Sequence, residues 1–124
     1  MSRNRFTLMK CPSLQILNTT AHGRFTYCHK SKLFQFVFNN LCFELYEWEL
    51  RTFIEYLYDI DVLYWEQQLQ SSPHDRKIPI SVGKNHFIIL MKRVEIRELK
   101  ELLSQAPKHR LLSYKEIEYS LEYN

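Results

Sequence analysis

The stretch from Phe34 to Leu45, FQFVFNNLCFEL, decides the fold. Apolar residues alternate on both sides of Asn39-Asn40, which is the period of a β-strand. Two asparagines tolerate the positive φ angles of a type I′ turn, so the stretch predicts a β-hairpin with a two-residue loop. Its register pairs Phe38 with Leu41, Phe36 with Phe43 and Phe34 with Leu45. One face of the hairpin is therefore apolar, and the opposite face is half buried.

A helix over residues 47–68 is predicted to follow this hairpin, because apolar residues recur there at helical spacing. The same order of elements recurs further along the chain. Residues 78–82 and 87–91 alternate as strands, and Pro79 indicates an edge or a bulge because it lacks an N–H. The helix that follows carries an apolar stripe of Ile96, Leu99, Leu102 and Leu103.

The second set of elements matches the first position by position. Glu49-Leu50-Arg51 corresponds to Glu95-Ile96-Arg97, at an offset of 46 residues. We therefore predict two tandem hairpin–helix (ββα) units, 33–57 and 77–103, in an α+β fold with an antiparallel sheet and the helices on one face. A single ββα unit cannot cover its own apolar sheet face, so the two units should pack together.

The remaining segments complete this prediction. Residues 13–20 and 24–28 alternate as strands around a turn in which Gly23 is free to adopt positive φ. A capping-box pattern that begins at Ser113 predicts a short C-terminal helix over 113–122.

Composition bounds the class of protein. The chain has 124 residues with 45% hydrophobic residues, so we expect a flexible basic lead over 1–12 and a single α+β domain over 13–124. No window holds the ~18 apolar residues of a membrane span, and no apolar run follows the basic start as in a secretory signal. We therefore expect a cytoplasmic protein with no membrane partner.

Two glycines are too few for a phosphate-cradling loop, and three cysteines argue against a disulfide framework.

The formal charge of +3 hides an alternation along the chain. Residues 1–40 carry +6, 41–68 carry −6, 69–115 carry +6 and 116–124 carry −3. The arrangement favours an acidic helix lying on its own basic sheet. The same blocks could serve self-association, with a basic block against the acidic helix.

Four short stretches are GRFTYC (23–28), FNNL (38–41), IDVLYWE (60–66) and RKIPI (76–80). In them the chain resembles a set of short uncharacterised proteins of Bacteroidota bacteria, over residues 11–103. The resemblance implies no activity or mechanism, because that family has none assigned. It does imply a Cys-x-x-Cys motif after the glycine turn, whereas this chain has Cys28-His29-Lys30-Ser31. Serine at the second cysteine position argues against a metal or redox role for this segment.

Zinc is the one cofactor that the residue types suggest. Cys11, His22, Cys28 and His29 lie within 19 residues, and both thiolate and imidazole bind zinc. Only Cys28 and His29 are close in sequence, and adjacent residues on a strand point to opposite faces. We therefore expect no cofactor. Cys11, Cys28 and His29 remain the candidate ligands of the alternative, a zinc-binding domain with a degenerate site.

Basic and aromatic residues interleave around Arg24 and Lys32, a composition that could hold phosphates and stack bases. Residues 32–39 echo the RRM signature but lack its small residues and its final aromatic, and their phenylalanines are needed in the core. We therefore reject an RRM and do not expect a nucleic-acid partner. A small basic nucleic-acid-binding regulator stays an alternative, with Arg24 and Lys32 as its candidate contacts.

No catalytic motif is present in the sequence. Cys42 is expected in mid-strand, where burial raises the pKa of a thiol and makes it inert. Glu55, Asp59 and Glu66 share one face of the predicted helix, and a solvated surface explains them. Neither a nucleophile elbow nor the paired Cys/His signature of a cysteine-dependent enzyme appears in the sequence. We therefore do not expect an enzyme and name no catalytic residue.

The predicted first helix carries more aromatic residues than a small core can hide. Trp48, Tyr58 and Trp65 are the candidates for a binding surface, because interfaces use aromatic anchors at a rim. We therefore predict a small non-enzymatic binding or adaptor domain that acts through protein–protein contacts. A protein partner or a homodimer fits this prediction, and the sequence identifies no small-molecule ligand.

Overall fold

The computed structural model describes residues 13–83 and 87–106, which form an α+β fold. The elements are β1 (Leu14–Thr20), β2 (Gly23–Cys28), β3 (Leu33–Phe38), β4 (Leu41–Leu45), α1 (Glu47–Asp59), α2 (Val62–Gln68), β5 (Ile78–Val82), β6 (Phe87–Met91) and α3 (Arg93–Leu103). Strands β1 to β4 form an antiparallel sheet in chain order, and β5 and β6 form a separate antiparallel pair. The predicted α+β class is confirmed, but the six strands form two sheets instead of one. The predicted basic lead and the predicted C-terminal helix lie outside the described residues.

The β3–β4 hairpin has the predicted register, with Phe38 opposite Leu41 and Phe36 opposite Phe43. Only the predicted turn type is wrong. Asn39 has a φ of 55°, but Asn40 does not adopt positive φ. A type I′ turn needs positive φ at both loop residues, whereas a type II′ turn needs it at the first alone. Both turns suit the twist of a hairpin, so the pairing of the strands is unaffected.

The predicted helix over 47–68 is two helices, because the chain is extended at Ile60. Asp61 begins the second helix, and its side chain accepts a hydrogen bond from the Tyr64 N–H at 3.0 Å. An N-cap aspartate satisfies one of the free N–H groups at a helix start. Glu66 therefore belongs to α2 and not to the helix of Glu55 and Asp59, so the predicted shared face of three carboxylates does not exist.

Both predicted ββα units form, and their helices begin in the same way. Glu49 accepts a hydrogen bond from the Tyr46 N–H, and Glu95 accepts one from the Lys92 N–H, each at 2.8 Å. Helix α1 contacts β3 and β4 of the larger sheet, while α3 contacts β1 and β2. The two helices also contact each other, so they lie side by side over one sheet face.

The core lies between these helices and the aromatic face of the larger sheet. Phe36 stacks on Phe43 and Phe53, with ring centroids 4.8 and 5.6 Å apart. The fully buried side chains of the core include Phe25, Phe34, Phe36, Phe38, Leu50, Leu57, Ile78, Ile80, Ile96, Leu99, Leu102 and Leu103. Because both units contribute to one cluster, the second unit completes the core of the first.

Gly23 has a different role from the predicted one. It does not adopt positive φ. A Cβ atom at this position would lie 2.7 Å from Leu102 Cδ2 and 3.1 Å from the Val37 carbonyl oxygen. A side chain here would force Leu102 of α3 to shift, which favours glycine at this position.

Candidate functional site

A groove of about 540 Å³ lies between α1, the edge strand β4 and the end of β5. Phe43 of β4 and Phe53 of α1 line its floor, with ring centroids 5.7 Å apart. Trp48 stands at the rim and is 57% exposed. The groove therefore combines a packed aromatic floor with an aromatic side chain that retains much of its surface in water.

The spacing of residues along α1 builds this side of the groove. Trp48 and Thr52 are four residues apart, as are Glu49 and Phe53, so the members of each pair lie one turn apart on the same side of the helix. The Thr52 hydroxyl donates to the Trp48 carbonyl oxygen at 2.9 Å. This bond satisfies the hydroxyl within the helix, so Thr52 needs no polar partner inside the groove.

One end of the groove is closed by a contact between the two units. The Ser81 N–H of β5 donates to the Tyr56 hydroxyl oxygen at 2.9 Å. An N–H on the edge of a two-stranded sheet lacks a strand partner, and the tyrosine supplies the acceptor. This hydrogen bond holds the end of β5 against α1, with Val82 and Gly83 lining the groove beyond it.

The lining of the groove is mainly apolar and aromatic. Its described lining contains no cysteine and no histidine, and its one carboxylate is Glu49. An oxygen of Glu49 already accepts the N-cap hydrogen bond of α1. Apolar and aromatic surface with few polar groups favours contact with apolar side chains of a ligand.

The structure separates the three aromatic residues that the sequence proposes for a binding surface. Trp48 lies at the groove. Tyr58 is 57% exposed elsewhere on α1, with the Lys100 ammonium 4.8 Å from its ring centroid. Trp65 is half buried on α2 and meets the edge of Tyr64. Trp48 is therefore the member of this set that contributes to a concave site.

Arg24 and Lys32 are both exposed but lie at opposite ends of the β2–β3 hairpin. Arg24 pairs with Val37 near one end. Lys32 precedes β3 at the other end and has a φ of 62°. The two candidate nucleic-acid contacts are thus several residues apart along the strands and do not form one cluster.

Cys28 is the last residue of β2 and is buried, whereas His29 follows the strand and is exposed. Cys28 is 1% exposed, and its sulfur accepts a hydrogen bond from the Ser31 N–H at 3.4 Å. His29 is exposed and hydrogen-bonds the Gln15 side chain at 2.7 Å. Cys11 lies outside the described residues. Within 13–83 and 87–106, no group of three His, Cys, Asp or Glu side chains could hold a metal ion.

Cys42 is exposed on β4 and not buried as predicted. It lies on the strand at the edge of the sheet, where no further strand covers it within the described chain. Partial desolvation and the neighbouring Glu44 carboxylate nevertheless raise the pKa of the Cys42 thiol. The thiol is therefore poorly ionised at neutral pH, as the sequence predicts, although burial is not complete.

Glu98 joins α3 to the β1–β2 turn. One of its oxygens accepts hydrogen bonds from the Thr20 hydroxyl and the His22 N–H, and the other lies 2.8 Å from His22 Nδ1. Burial opposes ionisation of Glu98, but the hydrogen bonds from His22 and Thr20 outweigh it and lower its pKa. Both oxygens are engaged in fastening the turn, so this cluster is structural.

Charge complementarity within the chain is visible at individual ion pairs. Arg93 of the basic segment 69–115 binds Glu66 of the acidic segment 41–68. Arg76 binds Glu95 within the basic segment itself. The alternating charges of the sequence are therefore used partly inside the molecule.

Sequence reasoning missed two features of the site. The end of β5 lines a groove on α1, which the strand pattern alone does not predict. Phe87 projects into solvent although it alternates with Ile89 and Met91 in the sequence. Phe87 is 73% exposed. The match between the units could have indicated the groove, because Trp48 corresponds to Val94 and Thr52 to Glu98, so the two helices differ at these positions.

Comparison with known proteins identifies a family and nothing beyond it. The profile of a family of unknown function, DUF6686, matches residues 9–124, so the chain belongs to this family. The match extends past the segment 11–103 and includes residues 107–124. No curated protein and no solved structure matches the chain. None of the helices in the described ranges is long and apolar enough to cross a membrane.

Proposed function

We propose that this member of the DUF6686 family is a small non-enzymatic binding or adaptor domain of the cytoplasm that engages a protein through the groove on α1. The observation that carries the proposal is Trp48, which is 57% exposed at the rim of a groove floored by Phe43 and Phe53. Partly exposed tryptophans beside apolar pockets are typical anchors of protein interfaces.

The size of the groove suits part of a polypeptide. About 540 Å³ accommodates one or two large apolar side chains, which is the scale of an anchor pocket. Exposed tryptophan in water is costly for the free protein and becomes buried when a ligand covers it. The residues of the groove offer no acid–base pair, which supports binding over catalysis.

The two alternatives receive less support. Arg24 and Lys32 lie at opposite ends of a hairpin, whereas a nucleic-acid interface needs clustered cations along the backbone of its ligand. Cys28 is buried, and its sulfur already accepts the Ser31 N–H. A binding domain that uses the aromatic groove is the function that the geometry supports best.

Selection of peptides tests this proposal without knowledge of the natural partner. Peptides selected from a displayed random library on the native protein are synthesised with a fluorophore, and their affinities are measured by anisotropy. Thr52→Arg places a long side chain in the groove without touching the core. We expect it to weaken groove-binding peptides by about 10- to 100-fold, the effect of losing one buried anchor.

Thr19→Arg is the matched control, because it makes the same exchange at an exposed position of β1. Its affinities should equal those of the native protein. If no selected peptide depends on Thr52, or if both variants weaken binding equally, the groove is not the binding site and the proposal is wrong.

A further inference from the structure

The second unit shows what covers the equivalent helix face in this fold. Thr52 and Tyr56 of α1 correspond to Glu98 and Leu102 of α3. The end of the β1–β2 hairpin lies on that face of α3. There Glu98 binds the turn, and Leu102 approaches the backbone at Gly23. The end of the β1–β2 hairpin thus covers this face of α3.

The face of α1 is only partly covered in the same way. The end of β5 reaches Tyr56 through the Ser81 N–H, but the surface near Thr52 and Trp48 stays open as the groove. Where α3 meets a complete hairpin turn, α1 meets one strand of a hairpin. A second hairpin end would fill the remaining space with the type of contact that the fold already uses.

The chain itself carries an exposed hairpin end of suitable chemistry. Phe87 is 73% exposed at the start of β6 and lies directly opposite Val82 of β5. Paired residues of an antiparallel sheet share one face, so Phe87 and Val82 project from the same side. Val82 lines the groove, so Phe87 is the cross-strand neighbour of a groove residue on the same side of the β5–β6 pair.

We propose that two copies of this chain associate about a two-fold axis, with Phe87 of each copy inserted into the groove of the other beside Trp48. The inference rests on the proposed function, because it takes the groove to be a protein-docking site and names its occupant. A two-fold interface is self-complementary, so a donor residue and a receiving groove that adjoin on one surface are used twice.

Sedimentation velocity of the full chain at micromolar concentrations tests the proposal. We expect the native protein to dimerise reversibly. Phe87→Ser removes the inserted ring from both halves of the interface, so dimerisation should weaken by about 100-fold or more. Ile88→Ser is the matched control, since Ile88 is 58% exposed on the opposite face of the same strand and should leave the dimer unchanged.

Mixing two defective variants provides a second, independent measurement. Thr52→Arg blocks the groove but retains Phe87, whereas Phe87→Ser retains the groove. Each should be monomeric alone, and their mixture should recover a heterodimer held by one of the two contacts, weaker than the native dimer. A mixture that stays monomeric would overturn the pairing, as would a native protein that is monomeric or a Phe87→Ser variant that dimerises normally.

The outcome also separates this inference from the proposed function. If the native protein is monomeric while selected peptides still bind in a manner that depends on Thr52, the groove recognises another protein and the self-pairing is wrong. If neither dimer nor Thr52-dependent peptide is found, both are wrong. If both are found, the peptides should dissociate the dimer, because they occupy the same groove.

Discussion

The hairpins β3–β4 and β5–β6 match each other in sequence pattern but have different neighbours. β2 and β1 extend the first hairpin to a four-stranded sheet, whereas no further strand in the described chain joins the second. Phe34, Phe36 and Phe38 of the first hairpin are all buried, while Phe87 of the second projects into solvent. Neighbouring strands therefore determine how much of each apolar hairpin is covered.

The helices of the two units also differ in how completely they are buried, but here the helix of the second unit is the more buried one. Helix α3 buries Ile96, Leu99, Leu102 and Leu103. Helix α1 buries Leu50 and Leu57 and leaves Phe53 and Tyr56 half buried. In the first unit the hairpin has neighbouring strands but its helix is only partly covered. In the second unit the helix is covered but the hairpin has no neighbouring strand in the described chain. Surface available for recognition arises where each unit lacks a neighbour.

The largest expected effect tests whether the two hairpins share one core. Phe36 and Ile80 occupy equivalent positions and are each 1% exposed. Phe36→Ala should lower the free energy of unfolding by about 3–5 kcal/mol, because it also removes the stack with Phe43 and Phe53. Ile80→Ala should cost about 2–4 kcal/mol. Urea unfolding followed by far-UV circular dichroism and by tryptophan fluorescence measures both values.

A second hairpin that unfolds independently of the first would contradict the shared core. In a shared core, each variant unfolds in one transition that is the same for both probes. An Ile80→Ala variant that loses almost no stability, or that unfolds in two steps, would show that the second sheet is an appendage to the first.

An intermediate effect on stability is expected at the two glycines. Gly23 begins β2, and Gly83 follows the end of β5. Gly23→Ala places a methyl group against Leu102 and the Val37 carbonyl, so overpacking should cost about 1–3 kcal/mol. A Cβ at Gly83 meets no atom within 4 Å among the described residues beyond its chain neighbours, but Gly83 has a φ of 71°, so the cost of Gly83→Ala should be about 1 kcal/mol and arise from the backbone. Thermal unfolding of both variants gives the difference.

Shortening the opposing side chain distinguishes these two causes. In the Leu102→Val background, the cost of Gly23→Ala should fall, because the methyl that meets the new Cβ is removed, and the cost of Gly83→Ala should stay the same. Additive costs at Gly23 would contradict the close-packing explanation.

These glycines also show where prediction from sequence succeeds and where it stops. The register from Phe34 to Leu45 is predictable because alternation and a two-residue loop are local properties of the chain. The role of Gly23 depends on Leu102, which is distant in sequence and reaches it only after α3 has packed. Local rules indicate that a glycine relieves strain, but they do not identify the atom that it must avoid.

The candidate site is predictable to the same extent. A surplus of aromatic residues on the first helix indicates that some of them stay exposed, and Trp48 does. The separation of Trp48 from Trp65 depends on the helix break at Asp61, whose capping role competes with an apolar pattern that continues through Tyr64. The groove itself depends on the end of β5, whose position is set by tertiary contact between the units.

The smallest expected difference concerns Glu95, the carboxylate that caps the start of α3. Glu95 accepts the N-cap N–H like Glu49, and it also binds Arg76, whose Nε and Nη2 lie 2.9 and 2.7 Å from its two oxygens. The hydrogen bond from Arg76 lowers the pKa of Glu95. A lowered folded-state pKa stabilises the fold above the unfolded-state value, about 4.3, and this stabilisation is lost as the pH falls through the folded-state value.

Glu95→Gln retains a cap acceptor and removes the charge, so it isolates this ion pair of the second unit. Its stability should fall below that of the native protein at pH ~7 by less than about 1 kcal/mol, because the Arg76 partner is half exposed to solvent, and should converge with it near pH ~2. In an Arg76→Gln background, Glu95→Gln should have almost no effect at neutral pH, since the charge then has no partner. Urea titrations across this pH range measure the difference. A deficit that persists unchanged in acid would show that Glu95 acts through its cap alone, and the starts of the two helices would then be equivalent.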